Sequence, residues 1–102
     1  MEYVKLDDLR IEIQHLEHTL GHHQMLRKDY VKIIDNYTKQ VDVCQRYNRY
    51  EEMKGFEAKL LYQKKLQILN DETIDRLAKE LNDKRKLFET QRRYIDDYAR
   101  MH

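Results

Sequence analysis

LDDLRIEIQHLEHTLGHHQMLRKDYVKIIDNYTKQVDVC, residues 6–44, carries a seven-residue apolar repeat that keeps one register throughout. With Leu6 at position a, the a and d positions are Leu6, Leu9, Ile13, Leu16, Leu20, His23, Arg27, Tyr30, Ile34, Tyr37, Val41 and Cys44. Ten of these twelve can bury an apolar or aromatic surface. A seam sustained over more than five heptads is a coiled-coil signal. A helix cannot bury such a seam alone, so the sequence predicts pairing with another helix.

A second frame covers the other half. Its a positions are Met53, Leu60, Gln67, Ile74, Leu81, Phe88 and Ile95, and its d positions are Phe56, Gln63, Asn70, Leu77, Lys84, Gln91 and Tyr98. The a row is nearly all apolar and the d row is about half polar, so this seam is the weaker one. The two frames do not join: the first projects a positions onto Asn48 and Gly55, whereas the second places one at Met53. Neither a four-residue nor a three-residue insertion cleanly bridges that offset, so a break falls between Cys44 and Phe56. Asn48 followed by Glu51 reads as a helix start with its capping partner, and Gly55 as an alternative stop. Asn70-Asp71 is a further candidate break, which would give three helices.

Composition agrees with helices and little else. The 102 residues include no Pro, no Ser, no Trp and two Gly, so turn formers are scarce. Charged residues make up 38% and mean hydropathy is −1.01, which disfavours a broad globular core. The fold class predicted is all-α: long coiled-coil helices in one coiled-coil region, residues 1–102. A two-helix antiparallel hairpin that self-associates ranks ahead of one continuous parallel dimeric rod. The first arm is expected at about 3–47, the bend at about 48–55 and the second arm at about 56–101.

Charge pattern bears on topology. A parallel in-register pair would set Glu12 against Glu17 and Lys59 against Lys64, both repulsive, with Glu80–Arg85 the one attractive match. Asn48 at a and Cys44 at d favour the parallel pair instead. Apolar residues also flank the seams: Leu26, Val31, Ile33 and Tyr47 in the first arm, and Leu66, Ala78, Leu87 and Tyr94 in the second. A stripe this wide suits helices with more than one neighbour.

No constellation for catalysis emerges, and the expectation is no enzyme, no cofactor and no metal. His15, His18 and His22 share a helical face, yet they occupy c, f and c positions pointing away from the seam. His23 at d and Arg27 at a form a polar interruption of the kind that sets register. Cys44 reads as core packing. The pairs Asp7-Asp8, Glu51-Glu52 and Asp96-Asp97 are adjacent in sequence and so do not share a face. The basic clusters Lys64-Lys65, Lys84-Arg85-Lys86 and Arg92-Arg93 are interleaved with acids, and net charge is +1, so nucleic acid ranks last among partners. Eight tyrosines are available as interface anchors, with Tyr47 and Tyr50 placed at the expected bend.

No apolar run approaches the ~18 residues of a membrane span, and MEYVKLDDLR has no signal-peptide core. One cysteine points to a reducing compartment, cytoplasmic with nuclear as the alternative. The function expected is oligomerisation and scaffolding through the a and d seam residues, with self and other coiled-coil or helical proteins as partners. A helical adaptor or chaperone module that pairs with a partner helix is the alternative.

Overall fold

The computed structural model describes residues 2–101, with side chains from Leu6 onward. Two helices account for nearly all of it: α1, Glu2–Arg46, and α2, Tyr50–Met101. The fold is an all-α helical hairpin. No break occurs at Asn70-Asp71, because α2 runs through both.

The bend is shorter than the sequence suggests, and its chemistry differs. Asn48 has φ 56°, in the left-handed region. The Arg49 amide donates to the Cys44 carbonyl at 2.8 Å and the Asn48 amide to the Gln45 carbonyl at 3.3 Å. This pair of bonds around a left-handed residue is the Schellman stop. Asn48 therefore closes α1 rather than opening α2. Asn is the residue after Gly that tolerates this conformation best, because its side chain can bond locally; here Asn48 Oδ1 accepts from the Tyr50 hydroxyl at 3.0 Å. The Met53 amide bonds the Arg49 carbonyl at 2.9 Å, so α2 is under way before Gly55. Gly55 lies inside α2, with open space where a Cβ would stand.

The chain forms two compact units, Met1–His22 with Ile74–His102, and His23–Thr73. In the first, the opening half of α1 packs on the closing half of α2. Leu16, Leu77 and Leu81 form its buried cluster, with Ile13 and Leu20 against it. Leu9 and Ile74 are also buried. Charges brace the edges: Lys84 Nζ bonds Glu12 Oε2 at 2.7 Å, and Arg85 Nη2 bonds Glu17 Oε1 at 3.1 Å. The two glutamates that would repel each other in a parallel pair thus each meet a base across the hairpin.

In the second unit the helices meet through aromatic and polar side chains. Tyr37 and Phe56 sit with ring centroids 6.2 Å apart. His23 Nδ1 and Asn70 Oδ1 are 2.8 Å apart, and Asn70 Nδ2 donates to the His23 carbonyl at 2.9 Å. Beside them, Arg27 Nε donates to Asp71 Oδ1 at 2.9 Å. The polar interruption at His23 and Arg27 is thus matched by polar residues on the facing helix. Shifting either helix by one heptad would take His23 away from buried Asn70, and a buried amide left without its partner costs about 1–3 kcal/mol. That penalty is what lets a polar layer fix register.

Candidate interaction surface

The structure places nearly every predicted seam residue inside the chain's own helix contacts. Leu9, Leu16, Cys44, Ile74, Leu77 and Leu81 are buried. Leu6, Ile13, Leu20, Tyr30, Ile34, Tyr37, Val41, Met53, Phe56, Leu60, Phe88 and Ile95 are half-buried. Tyr98, also at a d position, is 59% exposed.

The other candidates stay at the surface. His15, His18 and His22 are exposed, and among the described residues no group of three or more His, Cys, Asp or Glu is placed to hold a metal ion. Cys44 is a free, buried thiol. Tyr47 and Tyr50 are exposed beside the bend, with the Arg49 guanidinium 6.0 Å from the Tyr47 ring centre. Lys84 and Arg85, two members of the basic run, are held by carboxylates. Of the flanking apolar residues, Leu26 and Leu66 are half-buried, while Val31, Ile33, Tyr47, Ala78, Leu87 and Tyr94 are exposed.

A different surface stands out. Leu61, Tyr62, Ile68 and Leu69 are 56%, 60%, 57% and 59% exposed. All four lie on α2 within the His23–Thr73 unit, at heptad positions b and c, away from the packed seam. Ala58 precedes them on the f row, Lys65 lies between the two pairs, and Glu72 follows, all exposed. The outward rows of α1 in the same unit are mostly polar: Lys28, Asp29, Lys32, Asp35, Asn36, Lys39 and Asp42 are all exposed. The apolar outer stripe therefore belongs to one stretch of one helix. Single exposed apolar residues are ordinary, but two adjacent pairs seven residues apart lie on one face of the helix, with Lys65 between them.

The signal was present in the sequence as two adjacent apolar pairs, Leu61-Tyr62 and Ile68-Leu69, seven residues apart. A search confined to a and d positions with their immediate flanks passes over it, because b and c are the rows usually left to water.

The fold and this surface define a class: a helical hairpin that packs on itself along one seam and presents a second apolar stripe outward. Comparison with protein-family models, curated proteins and solved structures finds no match for this chain. Among the described residues, no helix is long and apolar enough to cross a membrane.

Proposed function

We propose that this chain is a non-catalytic assembly module, a helical hairpin that holds proteins together through helix–helix contact. The observation that carries the reading is the stripe of Leu61, Tyr62, Ile68 and Leu69 on the outer rows of α2. Folding the hairpin leaves these residues in water, and covering them on association recovers about 25 cal/mol for each Å² of apolar surface removed from solvent. Paired apolar residues at heptad spacing suit a partner helix in particular. Scaffolding and oligomerisation follow from this, with self or other helical proteins as partners. The adaptor reading uses the same face and differs in who occupies it. Nucleic-acid binding has less support, because Lys84 and Arg85 already face carboxylates. The buried, unpaired Cys44 fits a reducing compartment such as the cytoplasm.

The test is site-specific photocrosslinking in living cells. A photoreactive residue at Ile68 should trap protein adducts of defined mass. The same residue at Asp35, on the polar outer face of α1, should trap few. Equal yields from the two sites, or none from Ile68, would remove the reading.

A further inference from the structure

The stripe on α2 carries its own charge pattern, and that pattern selects an occupant. We propose that the face Leu61–Glu72 pairs with the same face of a second copy of this chain, α2 antiparallel to α2, with the two-fold axis between Ile68 and Leu69. The proposal rests on reading this face as an association surface and adds partner, direction and register.

Three arrangements bring the face onto itself. Parallel in-register pairing sets Lys65 on Lys65 and Glu72 on Glu72, so both charged positions repel. Antiparallel pairing centred on Lys65 matches Leu61 with the partner's Leu69 and Tyr62 with the partner's Ile68. It also puts Lys65 against its own copy at the middle of the apolar patch, with Lys64 one residue away. Two ammonium groups would there lose water as well as repel each other, the two costs that natural interfaces use to reject wrong pairings. Sliding one helix by one heptad moves the axis by half that distance, to the midpoint of Ile68 and Leu69.

In that third arrangement Ile68 meets the partner's Leu69, and the reverse contact repeats across the axis. Lys65 meets the partner's Glu72, again twice. The apolar centre is closed at both ends by opposite charges, and no like charges oppose each other between residues 65 and 72. Leu61 and Tyr62 fall one step further out, against the turn of α2 that follows Glu72 and contains Asp75 and Arg76 in sequence. Tyrosine suits such a rim, with a ring for apolar or guanidinium contact and a hydroxyl for a carboxylate. Symmetric pairing of one patch with itself is also the commonest route to a soluble oligomer. The hairpin seam stays intact throughout.

The experiment is the solution mass of the whole chain by light scattering, with circular dichroism to confirm helicity. All substitutions fall on exposed positions, so the hairpin should remain folded. The parent should show twice 12.7 kDa at about 100 μM. Lys65→Glu alone and Glu72→Lys alone should each bring like charges together and weaken the dimer by about tenfold or more. The double variant restores opposite charges and should dimerise within about threefold of the parent. Ile68→Asp should give a monomer in any register that uses this face.

A monomeric parent overturns the proposal. So does Glu72→Lys dimerising as tightly as the parent, since Glu72 meets Ala58 in the register centred on Lys65. So does a double variant no better than the singles. If the parent is monomeric while Ile68 still crosslinks to other proteins in cells, self-pairing falls and the assembly reading stands. If Ile68 crosslinks to nothing, both fall.

Discussion

The two units of this hairpin are built from the same heptad grammar but bury their apolar residues to different degrees. The unit made of the outer halves of the arms holds Leu9, Leu16, Ile74, Leu77 and Leu81, five of the six buried apolar side chains among the described residues. The unit containing the bend holds Cys44 as its one buried apolar residue and buries Asn70 as well. Among the described residues it also has ten of the fifteen large apolar side chains found exposed, against five in the other. The first unit is a leucine seam with charged edges. The second packs aromatic, aliphatic and polar side chains between its helices and carries an apolar stripe outside. A helix pair that keeps leucines inside needs no further partner to be stable. One that aligns them outside has surface left to cover, which is why the candidate interaction face belongs to the second unit.

The largest effect should come from the dry seam. Leu16→Ala or Leu81→Ala should lower unfolding free energy by about 2–5 kcal/mol, since both are nearly enclosed by other leucines. Ile68→Ala should lower the stability of the isolated hairpin by less than about 1 kcal/mol, because Ile68 is already in water. Chemical denaturation at a concentration below any self-association would compare the two. Equal losses would show that the units do not differ as their burial says.

The polar layer gives the next effect. Asn70→Ala removes both hydrogen bonds to His23 and should cost about 1–3 kcal/mol, because the half-buried imidazole and carbonyl of His23 lose the Asn70 amide. Replacing both His23 and Asn70 by Leu should recover that loss or exceed it, while weakening the choice of register. A double-mutant cycle by thermal melting measures the first effect. Amide exchange broadened around residues 23 and 70 would report the second. A single-site loss near zero would mean the polar layer does not discriminate.

The sequence made the seam legible because a and d positions are read by spacing alone. Spacing also located the polar layer, since His23 and Arg27 interrupt one frame and Asn70 the other. It did not pair them: matching residue 23 to residue 70 requires knowing where the bend falls. The bend itself was misjudged locally. Asn48 with Glu51 has the composition of a helix start, yet the residue adopts positive φ and stops α1. Asn serves both roles, and only the backbone angle distinguishes them. The outer stripe was missed for a different reason. Leu61, Tyr62, Ile68 and Leu69 mean little until the seam rows are known to be filled from within the chain.

The bend offers a smaller test that acts on both units through one residue. Asn48→Val places a branched side chain in the left-handed region, where even an ordinary residue pays about 1–2 kcal/mol. Asn48→Gly should match the parent or improve on it, because Gly carries no Cβ penalty there. Denaturant midpoints for the three proteins should run Gly at or above Asn, then Val. A Val variant as stable as the parent would mean the left-handed stop does not hold the hairpin's turn.

The smallest expected effect concerns Lys84, the charged residue at a seam position of the otherwise dry unit. Its pKa is raised above the ordinary 10.5, first by the hydrogen bond to Glu12, then by the charges of Glu12 and Glu80, with partial burial opposing them. The folded chain therefore holds this proton more tightly than the unfolded chain does. The stabilisation is fully present below the ordinary lysine value and is lost as pH climbs through the raised one. Tyrosines titrate in the same range, so the parent alone cannot report the effect. Glu12→Gln removes the largest cause and leaves every tyrosine in place. The parent should melt above the variant at about pH 9, and that advantage should shrink as pH climbs past the ordinary lysine value and through the raised one. A gap that stays constant across this window would show that the Glu12–Lys84 contact contributes nothing proton-linked. The edge of the dry unit would then be held by its leucines alone.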